Sequence, residues 1–124
     1  MMDYSNMSDK EINKLVAFAL GCKEVVPDIF MSDDRRYEFD KAKTKSGNKF
    51  YFDPCSEITD AWSIMIDNNI GLEKEFSFCC SECSEYYDTG LWEASTPDAE
   101  HHCVHKNPLR AAMIVYLKMQ EAKQ

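Results

Sequence analysis

The stretch Asn107-Pro108-Leu109-Arg110-Ala111-Ala112-Met113-Ile114-Val115-Tyr116-Leu117-Lys118-Met119-Gln120 organises the reading of the whole chain. Asn107 is a good N-cap, because its side-chain oxygen can accept from the amides of a first helical turn. Pro108 then falls at the first helical position, where a missing amide costs nothing. Leu109, Ala112, Met113, Tyr116, Leu117 and Gln120 form the main stripe at helical spacing. Ala111, Ile114 and Val115 make the middle of the helix apolar on nearly every side. A helix of that kind is either deeply buried or shared with a second subunit, so a homo-oligomer is one of two expected outcomes.

Working outward, Ser8-Asp9-Lys10-Glu11 matches a capping box, and Ile12, Leu15, Val16, Ala19 and Leu20 follow at helical spacing up to a stop at Gly21. Residues 22–34, with Pro27 and several aspartates, read as a loop. Tyr37-Glu38-Phe39 and Phe50-Tyr51-Phe52 read as a hairpin around the turn residues Ser46-Gly47-Asn48. A second helix is expected from near Ser56, with Ile58, Ala61, Trp62, Met65 and Ile66 on its apolar face and Asn68-Asn69 and Gly71 ending it. Phe76, Phe78 and Cys80 alternate as a third strand, and Leu91-Trp92 belongs to a fourth. The order is helix, two strands, helix, two strands, helix. It implies an α+β fold in which three helices pack on an antiparallel sheet of about four strands, an α/β/α sandwich. Residues 1–124 read as one domain.

Composition narrows the functional classes. The 124 residues are 44 % hydrophobic and 12 % aromatic, enough for a packed core. Net charge is −8, from 22 acidic against 14 basic residues. Phosphate-backbone binding relies on basic side chains that displace counterions, so nucleic acid is an unlikely partner. No segment reaches the roughly 18–20 apolar residues that span a bilayer, and Met1 to Lys10 is polar. A cytoplasmic location is therefore expected, with the six cysteines reduced.

Several blocks carry a resemblance. Met2-Asp3-Tyr4-Ser5, Met7-Ser8-Asp9 and Glu11-Ile12-Asn13-Lys14 open the chain. Phe52-Asp53-Pro54-Cys55 and Asp60-Ala61-Trp62 follow, then Asn107 to Val115 with Met119-Gln120-Glu121. Together they resemble the lambdoid-phage NinX family. The resemblance implies a phage or prophage origin and a small α/β/α domain, and it brings no established catalytic site. It leads to the expectation of a non-enzymatic accessory protein in the bacterial host cell. One such role is counter-defence by sequestering a nucleotide-derived immune signal. An alternative is an interaction factor that inhibits a host enzyme through the acidic surface.

Candidate site residues follow from chemistry. Arg110 is a cation in a first helical turn, against the helix dipole. It can bind an anion such as a phosphate together with the helix-start amides, or pair with an acid such as Asp53 or Asp60. Trp62 and Trp92 can stack on a nucleobase, although packing into the core is the ordinary use of an indole. Asp53, Asp60 and Asn107 either cap helices and turns or bond ribose hydroxyls and base edges. Cys80-x-x-Cys83 has zinc-knuckle spacing, and His102-x-x-His105 can supply two further ligands for a structural zinc, with His101 or Cys103 as substitutes. The same residues also read as reduced thiols beside a polar loop. Cys55 or Cys103 beside a histidine would make a nucleophile pair, though nothing in the sequence orients one. No phosphate-binding glycine loop, Rossmann fingerprint or zinc-protease motif is present.

Overall fold

A computed structural model describes residues 3–21, 23–25, 36–38, 52–78 and 86–123; for 23–25, 36–38 and Phe78 it describes the backbone alone. A short 3-10 turn, Tyr4–Asn6, leads into α1, Asp9–Ala19. Ser8 caps α1 by accepting from the Glu11 amide at 3.2 Å, as the capping box implies. Leu20 closes the helix and Gly21 follows with a φ of 89°, a left-handed value that glycine takes without strain.

Strands β1, Lys23–Val25, and β2, Arg36–Glu38, pair antiparallel with Lys23 opposite Glu38. A described partner of β2 thus comes from a segment read as loop. The expected hairpin set 37–39 against 50–52. Phe50 and Tyr51 lie outside the described residues, and Phe52 is buried in the lead-in to the next helix rather than in a strand.

Helix α2, Ile58–Asp67, ends in a paired closure. The Ile70 amide donates to the Met65 carbonyl at 2.9 Å, and the Asn69 amide to that of Ile66 at 3.3 Å. This is the Schellman arrangement, with Asn69 left-handed at φ 56° and Ile70 and Met65 both buried beside it. The main sheet follows: β3, Gly71–Phe78, β4, Tyr86–Ser95, and β5, His102–His105, in the order β3-β4-β5 and antiparallel throughout. A bulge sets Glu75 against the run Thr89-Gly90-Leu91. Gly90 takes φ 80° there, and the Thr89 hydroxyl bridges the gap by donating to the Glu75 carbonyl at 3.1 Å. Among the described residues the main sheet thus has three strands rather than about four. β5 was not expected, because its alternation is hidden in a histidine- and cysteine-rich run.

Helix α3, Pro108–Ala122, is the centre of the fold. Every residue from Arg110 to Leu117 is buried. α3 packs against α1, α2 and all three strands of the main sheet. The row Leu72, Ala94 and Cys103 faces it across the sheet, with Ala94 fully buried. On the opposite sheet face the row Glu73, Glu93 and Val104 includes the exposed Glu73 and Val104. Among the described residues the fold is α+β as expected, with three helices and an antiparallel sheet, and α3 lies between the sheet and the other two helices. Burial within one chain accounts for the apolar circumference of α3, so that feature does not itself call for a second subunit.

The closure of α2 is testable. Asn69→Ala forces an ordinary side chain into left-handed backbone and should cost about 1–2 kcal/mol in urea unfolding, whereas Asn69→Gly should cost little or nothing.

Candidate functional site

The three helix starts meet at a cluster of hydrogen-bonded polar residues. Asn107 is the junction. Its side-chain oxygen accepts from the Leu109 and Arg110 amides at 3.0 and 3.3 Å, capping α3. Its side-chain nitrogen donates to the Cys55 carbonyl at 2.7 Å, and its backbone amide donates to His105 Nδ1 at 2.9 Å. One residue therefore joins β5, the turn before α2 and the start of α3.

That turn is held from two sides. Asn13, buried on α1, donates to Asp53 Oδ1 at 2.7 Å and accepts from the Cys55 amide at 3.1 Å. Asp60 accepts from the Asp53 amide at 3.0 Å, and the Asp53 carbonyl accepts from the Ser56 and Glu57 amides. Asp53, Asp60 and Asn107 are thus linked through the turn before α2. The bonds they make here are capping and turn bonds.

Arg110 reaches a different partner from those expected. Its guanidinium donates to Asp9 Oδ1 at 2.7 Å, to the Tyr4 carbonyl at 3.0 Å and to the Met7 carbonyl at 2.6 Å. The acid is Asp9, from the first turn of α1, and not Asp53 or Asp60. The planar fork of arginine serves three acceptors at once, which the point charge of lysine does not. Asp9 also offsets the unfavourable placement of a cation in the first turn of α3. Arg110 Nε is buried with no hydrogen-bond partner among the described residues. Burial, and then a bond to Glu121 near the far end of α3, hold the Tyr4 phenol well above the ordinary tyrosine pKa. The N-terminal segment is in this way strapped along α3.

Cys55 sits fully buried in the middle of this cluster. Burial pushes its thiol up to about 12, with the Asp9 charge adding to the shift and Arg110 opposing it. A thiol in that state is protonated at neutral pH and is a poor nucleophile. Cys103 is also raised by burial. His105 is lowered, by burial first and then by Arg110. These shifts oppose the Cys/His nucleophile reading. Both described cysteines are free.

The tryptophans separate. Trp62 is 55 % exposed on α2, against the expectation that it packs in the core. Trp92 is half-buried on β4 between Lys74 and His105, with Lys74 Nζ 5.6 Å from the centre of its ring. Neither indole takes part in the hydrogen bonds of the helix-start cluster. Among the metal candidates, Cys80 and Cys83 lie outside the described residues. His102 and His105 are three apart on a strand, so they point to opposite faces of the sheet and are poorly placed to share an ion. Among the described residues no group of three or more His, Cys, Asp or Glu side chains could hold a metal. No helix among them is long and apolar enough to cross a membrane.

Sequence reasoning missed Asn13 and Asp9. Both carried a signal: they are polar residues one helical turn apart, and Asn13 lies directly after Ile12 and one turn from Val16, on the helix side that Ile12, Val16 and Ala17 bury. It also missed the outer face of α2, where Ile58 and Ile66 are exposed on either side of Trp62.

Fold and cluster together define a small α+β protein tied at its helix starts. A family model described as "Bacteriophage P22, NinX" matches residues 3–120, nearly the whole chain, and the protein belongs to that phage family. No curated protein and no solved structure matches the chain significantly.

Two predictions follow from the cluster. Arg110→Ala removes the guanidinium donor from Asp9 and from the Tyr4 and Met7 carbonyls, of which the Tyr4 carbonyl keeps the Met7 amide, and should cost roughly 3 kcal/mol in urea unfolding, the low end for a broken buried pair because Asp9 is half exposed; Arg110→Lys should recover only part of this. The second concerns pH. In the unfolded chain the Cys55 thiol ionises near its ordinary 9.0, but in the fold it ionises only near about 12. Its stabilising contribution is therefore complete below 9 and is lost as pH rises toward 12. Urea midpoints should fall between pH 8 and pH 10.5, and Cys55→Ala should flatten that fall.

Proposed function

We propose that this phage accessory protein is a non-enzymatic binding module that works in the host cytoplasm by docking on a host protein. The observation that carries this reading is the outer face of α2. Ile58, Trp62 and Ile66 recur every fourth residue and are 58, 55 and 55 % exposed. Large apolar side chains at this spacing are the anchors by which a helix engages an apolar partner. Tryptophan is also the residue most enriched among those that dominate binding energy. Each fully buried side chain of this kind contributes about 1.5–3 kcal/mol, so leaving three in water has a cost that a partner would remove. Inhibition of a host enzyme is one outcome of such docking.

A second reading keeps the sequestration of a phosphorylated, nucleotide-derived immune signal at Asn107 and Arg110. Its support is Arg110 Nε, unpartnered among the described residues, in a cluster of helix starts. Against it, the other guanidinium nitrogens serve Asp9 and two carbonyls, and Asn107, Asp53 and Asp60 are engaged in capping.

Affinity capture from host lysate separates the two. Wild type and an exposed control, Glu100→Ala, should retain the same host protein, and Trp62→Asp should lose it while keeping its unfolding midpoint. Equal capture by all three would overturn the docking reading. Calorimetric titration with cyclic nucleotides and ADP-ribose derivatives should show no heat of binding; saturable binding abolished by Arg110→Lys would favour sequestration instead.

A further inference from the structure

We infer that the occupant of the α2 face is an amphipathic helix of a different protein, whose apolar stripe is flanked by lysine or arginine. The inference rests on the docking reading above and names the chemistry of the partner. The stripe Ile58, Trp62 and Ile66 is bounded by exposed acids at both ends, Glu57 just before α2 and Asp67 at its last residue. No basic side chain lies in the last turn of α2, so the negative end of the helix dipole and Asp67 act together. The whole chain carries −8. Among the described residues the two flanking acids, the negative end of α2 and the net charge favour a basic partner, against only the positive dipole end beside Glu57, and a like-charged partner would be repelled.

A second copy is the natural competitor, because the stripe is symmetric about Trp62. Two antiparallel copies would set each Ile58 against the other copy's Ile66. The same alignment sets Glu57 beside the other copy's Asp67 at both ends of the contact. A parallel alignment sets each acid beside its own equivalent. Both arrangements bring like charges together between two chains that each carry −8. Nor do three anchors approach the roughly 20–30 residues a side of a standard stable interface. A single basic helix answers both points, since it needs only a short apolar stripe and brings the opposite charge.

The test uses the full chain with Trp92→Phe, so that Trp62 is the only indole. It is titrated with three model helical peptides of about 18 residues: an amphipathic Leu/Lys peptide, its Leu/Glu counterpart, and a Lys-matched peptide with the leucines scrambled. The Leu/Lys peptide should shift Trp62 emission to the blue and bind at least tenfold more tightly than either other peptide. Ile58→Ala with Ile66→Ala, in the same background, should weaken it at least tenfold, and raised salt should weaken it further. Equal binding of the Leu/Lys and Leu/Glu peptides would overturn the basic partner while leaving the docking reading intact. Equal binding of the scrambled peptide would show charge attraction alone and would also overturn it. A concentration-dependent dimer in sedimentation, with Trp62 shifted to the blue and no peptide effect, would assign the face to a second copy. A blue shift only with phosphatidylcholine vesicles would assign it to lipid. Failure of the docking reading itself is distinguished by the lysate capture, where Trp62→Asp would then change nothing.

Discussion

A helix with apolar side chains around its whole circumference leaves no face that water tolerates, and α3 is such a helix from Ala111 to Leu117. It must be covered on every side, and one layer cannot do that. The chain answers with three kinds of cover: α1, α2, and the inner face of the β3-β4-β5 sheet. Small residues allow the close approach this requires. Ala111 and Ala112 on the helix and Ala94 on the sheet are all fully buried. Each fully buried large side chain on α3 contributes about 1.5–3 kcal/mol, which makes this helix the largest source of stability identified in the fold.

Covering α3 brings several helix starts into the interior, and a buried polar group without a partner costs about 1–3 kcal/mol. This explains why the polar residues singled out for ligand binding bond to one another and to the chain. Asn107 closes the start of α3 and holds the Cys55 carbonyl, Asn13 holds both ends of the Asp53–Cys55 turn, and Asp60 receives the Asp53 amide. Arg110 does the same for the N-terminal segment through the Tyr4 and Met7 carbonyls. The cluster has the residue types of an anion site and the wiring of a structural junction.

The same wiring turns α2. The helix has apolar residues over more of its circumference than a single contact can bury. Burying Asp60 beside the 53–55 turn commits Asp60, Ala61, Ile64 and Met65 to the inside. Ile58, Trp62 and Ile66 are then left outside. The exposed face is a consequence of where one carboxylate must go, and hydrophobicity alone would have placed the stripe about a quarter turn away.

Read alone, the chain already located α1 and α3, because their caps are local: Ser8 and Asn107 each accept from amides two or three residues on. It also carried the family, through blocks at both ends and beside α2, and the approximate strand content. What it could not carry were the pairings and partners that span long separations. β2 found a partner in β1, inside a segment read as loop, β5 emerged from a run that resembles a metal motif, and Arg110 found Asp9 across the chain rather than Asp53 or Asp60. Sequence patterns report local geometry and overall apolarity. Which acid meets a buried guanidinium, and which side of a broadly apolar helix faces water, depend on how elements pack in three dimensions, and only the tertiary structure decided them.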